Sequence, residues 1–382
     1  MDFALTAEQD ELVKTLRAFA RKELAPRSRD WDRTGEFPWS AWRQMGELGL
    51  LGLRIPAAYG GQESDYMTFG LAMEEVARGD FGCTYGIQLA GLAGEIVGAT
   101  GTEEVKSRWL PPTARGEEII ALALTEPGAG SDAAHLACRA ERDGDSYLIT
   151  GEKSGISLAM AAQSAVLFAR TGATAGARGV TAFLVPSICP ACRGASSGTW
   201  ARTASAAPCC PSTTCVSPAR TGLGTKARAS TRSCAGSTTT ASASRWRPSG
   251  WPRSRWKRPW ATSGAPGLRQ AARDLRGHLV PDRRDGDAHR RLPRTLLSRD
   301  VARRPGPAPQ QGVGDDQVVG PKLAVETIHQ CLLFHGHYGY TDELPFEQRM
   351  RDVIGLEIGD GTAEVMKTIV ARELMGRESR PY

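Results

Sequence analysis

Two short segments of this chain hold the residue types that a ligand-binding site needs. Residues 122–132 read LALTEPGAGSD and place hydroxyls, carboxylates and glycines around a Pro-Gly turn that follows an apolar run. Further along, residues 151–157 read GEKSGIS. Glycine lets backbone amides approach a ligand closely, and hydroxyl groups supply hydrogen bonds. A lone Gly-x-Gly is usually a turn, so the prediction of a site depends on both segments together.

The elements that must position these segments begin with helices. Thr6 and Gln9 form a capping-box pattern, and an apolar helical period follows until Pro26 stops the helix. Residues 1–116 are therefore predicted to form an α-helical domain. Its other helices are predicted around residues 39–48, 67–78 and 103–109, the last ended by Pro111-Pro112.

Residues 117–186 change to short apolar runs that Gly and Asp clusters separate. This pattern favours a small β domain. The runs are residues 119–124, 147–150, 165–170 and 181–185.

Helical patterns return at residues 321–382. Pro321 is predicted to occupy a first helical position, and the helix after it has an apolar face. The last helix has Thr362 as its N-cap, Glu364 in its first turn and Gly376 at its end. The apolar face consists of Leu323, Ala324, Thr327, Ile328, Cys331 and Leu332.

Composition places the chain among globular proteins. It has 382 residues, of which 41% are hydrophobic, and no apolar run is long enough to span a membrane as a helix. Its N-terminus lacks the basic start and the apolar core of a signal peptide. We therefore expect a cytoplasmic protein that does not enter a membrane.

The net charge of +6 is distributed unevenly. Residues 187–318 hold 23 Lys and Arg against 7 Asp and Glu, whereas the rest of the chain holds 25 against 35. Six of the nine cysteines and five of the nine tryptophans lie in the same stretch, which contains no Phe, Tyr or Glu. Such a segment cannot bury enough apolar surface to offset its ordering entropy.

Out-of-frame translation of GC-rich DNA is the favoured interpretation of this stretch. Shifting the frame can re-read residues 224–241 as DEGQGFHQVMRGFDYNR. In the same way, residues 265–275 can become RRAFGRPLATF, and residues 315–318 can become MTKW.

Three other interpretations stay open. The stretch could be a disordered linker, although its Trp and Cys content is unusual for one. Cys189 and Cys192 form a CxxC pair, but a zinc site would want a second pair at regular spacing. The Trp/Arg run at residues 245–260 has the composition of a nucleic-acid-binding segment. Neither a metal nor a nucleic acid is expected as a partner.

The two segments described first resemble the acyl-CoA dehydrogenase family, whose pattern is TEPGAGSD followed by G-x-K-x-W-I-T/S. The resemblance covers roughly residues 1–186 and 320–382, and the frame-shifted readings contain the FDxxR and RxxFG patterns of the same family. Other stretches similar to that family are residues 50–61, 74–80, 101–117, 335–340, 346–352 and 358–364.

The resemblance implies an α+β multidomain fold. An N-terminal α-helical domain would cover residues 1–116 and a central small β-barrel or β-sandwich domain residues 117–225. A C-terminal helical bundle would cover residues 226–382. Sequence similar to the family reaches only to about residue 186 in the β domain and resumes only at about residue 320.

The same resemblance implies FAD-dependent α,β-dehydrogenation of an acyl-CoA thioester. A carboxylate would remove the α-proton while the β-hydrogen leaves as hydride to the flavin. The enzyme would be a homotetramer or dimer that passes its electrons to an electron-transfer flavoprotein. An acyl-CoA oxidase or a flavin monooxygenase on the same fold stays open, as does a non-catalytic frameshifted remnant.

The resemblance implies a role for individual residues of the site. Ser131 and Gly361 would contact the substrate. Gln330 and Gly336 would contact the cofactor of a neighbouring subunit, and Thr362 and Glu364, at a helix N-terminus, would hold its adenosine-phosphate end. The remaining flavin contacts would be Leu122, Leu124, Thr125, Gly130, Ser131, Ile156 and Ser157.

Asp360 is the catalytic base that the resemblance implies. The common family pattern is Glu-Gly-Thr, whereas this chain has Asp360-Gly361-Thr362, as dehydrogenases of the cyclohexanecarboxyl-CoA type do. A shorter carboxylate suits an α-carbon on a ring, so a cyclic or branched short acyl chain is expected. Alternatively, Asp360 only caps the helix that begins near Thr362.

Two further positions depart from the family or suggest another chemistry. Gly155 stands where the family usually has a Trp against the flavin, so the flavin would be less shielded here. His335 and His337 are metal-ligand types, but the resemblance assigns both to a turn that contacts FAD.

Overall fold

The computed structural model describes residues 5–144, 146–174, 176–186, 311–359 and 361–375, together with three short strands between residues 195 and 218. The CxxC pair at 189–192, the Trp/Arg run at 245–260 and the re-read windows at 224–241 and 265–275 lie outside these residues, as does Gly376.

The N-terminal part of the chain is helical, as predicted. The capping box is present, because Gln9 N donates to Thr6 Oγ1 at 3.2 Å and Thr6 N donates to Gln9 Oε1 at 3.1 Å. A π-helical turn, Ala20–Leu24, extends the first helix toward Pro26. The helices are α1 (Ala7–Phe19), α2 (Ser28–Thr34), α3 (Trp39–Glu47), α4 (Tyr66–Gly79), α5 (Phe81–Thr100) and α6 (Glu103–Ala114).

The prediction that Pro111-Pro112 ends α6 was wrong. Both prolines lie inside the helix, which continues to Ala114. The Pro111 carbonyl accepts a hydrogen bond from Arg115 N at 3.2 Å, so the last turn closes C-terminal to the prolines. A proline lacks only its own N–H, and the carbonyl that it carries can still serve the helix.

The central part of the chain forms two sheets in the described residues, a two-stranded sheet of β6 and β7 and a six-stranded mixed sheet. The mixed sheet has the order β1-β4-β2-β3-β8, and β5 pairs with β4. β1 lies parallel to β4, whereas the β2–β3 and β4–β5 pairs are antiparallel. The strands are β1 (Ile120–Ala123), β2 (Arg139–Asp143), β3 (Ser146–Thr150), β4 (Ser164–Arg170), β5 (Val180–Pro186), β6 (Ala195–Ser196), β7 (Pro208–Cys209) and β8 (Cys215–Pro218).

The C-terminal part is again helical, with α7 (Gln311–Phe334), α8 (His337–Tyr340), α9 (Phe346–Ile358) and α10 (Ala363–Met375). Pro321 does not start a helix as predicted but lies inside α7. An interior proline costs about 3 kcal/mol, and burial of the predicted apolar face offsets that cost. Ala324, Ile328 and Cys331 are buried in a C-terminal core cluster.

Gln317 ties α7 to the end of α9. Its Nε2 donates to the Leu356 carbonyl at 2.8 Å and to the Gly359 carbonyl at 3.3 Å. The side chain is buried. The first turns of α7 and the segment that follows α9 are therefore held together by one side chain.

Three core clusters join these parts. The first packs α1–α5 against residues 119–123 and 156–162 and includes Leu356 of α9. The second lies between α5, α6 and the sheet, and the third lies among the C-terminal helices. Both glycine-containing segments thus begin at strands that are anchored in buried cores.

A buried charge cluster also joins α9 to the N-terminal helices. Arg351 makes two hydrogen bonds to the Asp32 carboxylate, one of them from Nη1 to Oδ1 at 2.9 Å. Ser28 Oγ donates to Asp80 Oδ2 at 2.6 Å and accepts from Gln348 Nε2 at 3.1 Å. The cluster therefore links α2, the start of α5 and α9.

Asp352, also buried on α9, lies close enough to this cluster for its charges to act on the Asp352 carboxyl. Burial raises the pKa of Asp352 well above its usual value, and the Asp80 and Asp32 carboxylates raise it further, whereas Arg351 and Arg349 oppose the shift. A raised folded-state pKa stabilises the fold below the unfolded pKa of about 3.9, and that contribution is lost as the pH rises through the folded-state pKa.

We therefore expect Asp352→Asn to raise the free energy of unfolding more at pH 8 than at pH 4, since the amide stays neutral. Urea titrations at the two pH values measure it, with Glu357→Gln, an exposed position on α9, as the control. Parallel pH profiles for wild type and Asp352→Asn would contradict the prediction.

Candidate active site

The structure brings the two glycine-containing segments together. The first segment follows β1 and the second follows β3. Ser154 N donates to the Thr125 carbonyl at 2.9 Å, so the two segments are directly hydrogen-bonded. The two segments that hold the residues predicted at 122–131 and 156–157 therefore meet at Thr125 and Ser154.

A buried ion pair lies beneath this junction. Lys153 Nζ donates to Glu126 Oε1 at 2.7 Å and to the Leu124 carbonyl at 3.0 Å. Glu126 also accepts from the amides of Ala137 at 2.5 Å and Cys138 at 3.0 Å. The two side chains are only 5% and 6% exposed. The sequence analysis did not predict this pairing, because the two segments also contain Asp132 and Glu152, and the sequence does not show which carboxylate lies next to Lys153.

The first segment turns back tightly after Glu126. The backbones of Glu126 and Ala129 exchange hydrogen bonds of 3.2 and 3.1 Å. At Gly128 and Gly130 an added Cβ would meet nothing within 4 Å. Ser131 is exposed beyond the turn. The turn therefore presents backbone and a hydroxyl to open space, as a loop that holds a ligand would.

Hydroxyl groups on both segments are free to bind. Among the described residues, the side chains of Thr125, Ser131 and Ser157 make no hydrogen bond, and Thr125 and Ser157 are half-buried. Leu122 and Leu124 are also half-buried. A polar, planar ligand could thus find both hydrogen-bonding and apolar partners here.

The second segment has unusual backbone geometry. Gly155 has a φ of +65°, with open space around an added Cβ. Ile156 is buried in the first core cluster, so its contact with a ligand would come from its main chain. Leu158 has a φ of +61° and is buried, which is uncommon for a residue with a Cβ. Core packing therefore holds this segment in a conformation that the backbone alone disfavours.

The C-terminal candidates lie on other elements. Gln330 is exposed on α7, and Gly336, with a φ of +57°, separates α7 from α8. His335 Nδ1 lies 2.7 Å from the Cys331 carbonyl, and its ring packs on Phe346. The described residues contain no group of three or more side chains that could hold a metal ion. No hydrogen bond among them joins Gln330 or Gly336 to the two glycine-containing segments.

Asp360 lies outside the described residues, but its neighbours do not. Gly361 has a φ of +103°, and an added Cβ would lie 2.3 Å from Met366 Cε. Thr362 caps α10, since its Oγ1 accepts from Val365 N at 3.4 Å and its carbonyl accepts from Met366 N at 3.0 Å. Glu364 is exposed in the first turn. The predicted helix start at Thr362 is confirmed.

Three family models match the chain in order. They describe the N-terminal, middle and C-terminal domains of acyl-CoA dehydrogenases and cover residues 6–117, 121–210 and 317–375. A solved structure from Mycobacterium smegmatis, described as an acyl-CoA dehydrogenase, is 30% identical with a TM-score of 0.84 and covers 97% of this chain and 98% of its own. The chain belongs to the acyl-CoA dehydrogenase family. The predicted fold class is thereby confirmed, with its helical, β and helical parts.

Sequence relatives of the family match a shorter part of the chain. YngJ of Bacillus subtilis, named a probable acyl-CoA dehydrogenase, is 39% identical over 193 residues, which are 50% of each chain. CarC of Acetobacterium woodii, a subunit of a caffeyl-CoA reductase-Etf complex, is 38% identical over 182 residues, which are 47% of this chain and 48% of CarC. The chain thus spans about half the length of the curated relatives that it matches.

No helix in the described part of the chain is both long and apolar enough to cross a bilayer.

Proposed function

We propose that this protein is an FAD-dependent acyl-CoA dehydrogenase of the cytoplasm, which works as a homotetramer or dimer. The observation that carries the proposal is the hydrogen-bonded junction of the segments at 122–131 and 151–157. Seven proposed flavin contacts lie on these two segments, and an added Cβ at Gly128, Gly130 or Gly155 would meet nothing within 4 Å. Family membership supplies the reaction class.

The residues present fit a flavin. Thr125, Ser131 and Ser157 offer hydroxyls without partners among the described side chains, and Gly155 leaves space next to them. Gln330 and Gly336 would contact the flavin of a neighbouring subunit, and the N-terminus of α10, with Thr362 and Glu364, suits its anionic phosphates. When bound, FAD supplies an oxidised ring system that takes up the β-hydrogen of the substrate.

The reaction needs a base at the α-carbon and a donor at the thioester oxygen. We assign the base to Asp360, whose carboxylate would take the α-proton, while negative charge develops on the thioester oxygen and calls for hydrogen-bond donors there. Thr362 already caps α10, which favours the base role of Asp360 over the capping role. Ser131 and Gly361 are the proposed substrate contacts.

The proposed substrate is a cyclic or branched short acyl-CoA. An Asp instead of the common Glu withdraws the carboxylate by one methylene, which suits an α-carbon carried on a ring. The proposed electron acceptor is an electron-transfer flavoprotein, and CarC, from a complex that is named with Etf, is a relative that supports it.

We also propose that a frameshift explains residues 187–318. The family models leave residues 211–316 unmatched, and the relatives match about half of the chain. Sequencing the coding DNA across codons 180–325 tests this proposal. One or two inserted or deleted bases that restore the FDxxR and RxxFG segments are expected, whereas an unchanged frame would refute the frameshift.

The activity is tested with two proteins: the 382-residue chain, and a frame-restored protein in which inserted or deleted bases restore the FDxxR and RxxFG segments. The frame-restored protein should purify with a flavin absorbance spectrum that a cyclic or branched acyl-CoA bleaches under anaerobic conditions, and the 382-residue chain should bind FAD poorly. A frame-restored protein without flavin would refute the dehydrogenase proposal. A full flavin spectrum in the 382-residue chain would refute the prediction that this chain binds FAD poorly.

The rate at which oxygen reoxidises the reduced flavin distinguishes a dehydrogenase from an oxidase or a monooxygenase on the same fold. Reduced dehydrogenase should reoxidise slowly in air and quickly with electron-transfer flavoprotein. Rapid reoxidation by air, with hydrogen peroxide as product, would favour the oxidase.

A further inference from the structure

The Glu126–Lys153 pair is a buried polar group outside the proposed contacts that makes four hydrogen bonds in the described residues. Glu126 accepts from two backbone amides and from Lys153. Lys153 also donates to the Leu124 carbonyl. The pair therefore contacts the backbone immediately before Thr125 and the backbone at residues 137–138.

Stabilisation of the fold does not by itself explain why the ion pair Glu126–Lys153 is buried at this position. Desolvation of two buried charges commonly cancels their attraction, so well-packed neutral residues of similar volume serve the fold equally well or better. Charges with hydrogen bonds do something that neutral packing does not, because each bond fixes a direction and a distance. Here the bond from Lys153 ends on the carbonyl of Leu124, a proposed flavin contact, and the two amide bonds hold Glu126, which follows Thr125, against residues 137–138.

We propose that Glu126 and Lys153 are positioning residues, whose buried ion pair sets how the segment at 122–131 lies against the segment at 151–157. This inference rests on the proposed flavin site, because Thr125 and Ser157 lie on the two segments that the pair aligns. Neither Glu126 nor Lys153 is proposed to contact the substrate or the reacting atoms.

The decisive variant is the double replacement Glu126→Gln with Lys153→Met in the frame-restored protein, because the 382-residue chain is itself expected to bind FAD poorly. It removes both charges together and leaves neither one buried alone. The matched control is Arg54→Met with Glu95→Gln, a partly buried ion pair in the N-terminal helices with an N–O distance of 2.6 Å. Three quantities are measured: the thermal midpoint, FAD affinity from flavin fluorescence, and hydrogen exchange of the Ala137, Cys138 and Ser154 amides.

With a positioning role, the double variant keeps a thermal midpoint near that of wild type, yet it binds FAD at least 10-fold more weakly and exchanges the three amides at least 10-fold faster. The control changes neither FAD affinity nor these amides. If the pair only stabilises the fold, a double variant with the thermal midpoint of wild type will also have the FAD affinity and amide exchange of wild type. That result would overturn the inference.

Two further outcomes are also decisive. If the frame-restored protein without these replacements binds no FAD, the proposed flavin function fails, and amide exchange at an unchanged midpoint decides the positioning role alone. If the double variant does not fold, Lys153→Arg replaces it, since Arg keeps the charge but moves the donor atoms. FAD affinity and exchange equal to wild type in Lys153→Arg would then overturn the inference.

Discussion

Asp360→Asn should lower turnover of the frame-restored protein by about 10³-fold or more while FAD binding stays unchanged. General base catalysis typically contributes 10²–10⁴-fold, and an amide cannot take the α-proton. Anaerobic flavin bleaching by substrate measures the chemical step, and the flavin absorbance of the purified variant measures cofactor binding. Glu357→Gln, exposed on α9, serves as a control for loss of a nearby carboxylate.

The same substitution separates the two roles considered for Asp360. Asn is as good a helix cap as Asp, so a purely capping Asp360 would leave turnover intact in Asp360→Asn. Asp360→Glu adds a further test, because a longer carboxylate should shift preference from cyclic toward straight-chain acyl-CoA. Preserved turnover in Asp360→Asn would end the assignment of the base.

Arg351→Met should destabilise the protein by about 3–5 kcal/mol, the cost of leaving one partner of a buried ion pair without the other. The Asp32 side chain is 8% exposed, and both bonds from Arg351 to it cross from α9 to α2. For domains of this size, such a loss lowers the thermal midpoint by roughly 10 °C. Thermal unfolding followed by circular dichroism measures the shift.

An exposed ion pair on α2, the helix that carries Asp32, provides the control for Arg351→Met. Arg33 and Asp30 lie 3.0 Å apart with side chains 78% and 68% exposed. Arg33→Met should change stability by no more than about 0.5 kcal/mol, because surface ion pairs contribute little. The double variant Asp32→Asn with Arg351→Met should regain most of the loss. Equal losses for Arg351→Met and Arg33→Met would show that burial of Asp32 is not the cause.

Local signals predicted most elements, and the misses have physical causes. The capping box at Thr6, the strand runs and the cap at Thr362 are patterns that a few residues determine by themselves. By contrast, α5 was missed because 14 of its 20 residues are buried, so no polar face marks its period. β2 was missed for the opposite reason, since most of its side chains are exposed and only pairing with β3 makes it a strand.

The candidate site was predictable to a similar extent. The motifs and their order predicted the two segments and the groups that could bind a ligand, because glycines and hydroxyls at fixed spacing can be recognised in the sequence alone. The Ser154–Thr125 bond and the Glu126–Lys153 pair depend on how β1 and β3 end near each other, which no local pattern specifies.

Because Gln317 donates to carbonyls at the end of α9, a change of reading frame at residue 317 would alter the charge at that helix end. Re-reading residues 315–318 as MTKW places a Lys where this chain has Gln317. Either side chain can donate to the Leu356 and Gly359 carbonyls. Only the Lys, however, would bring a positive charge to the negative end of the α9 helix dipole. A single lost or gained base would thus exchange a neutral cap for a cationic one, immediately before Asp360.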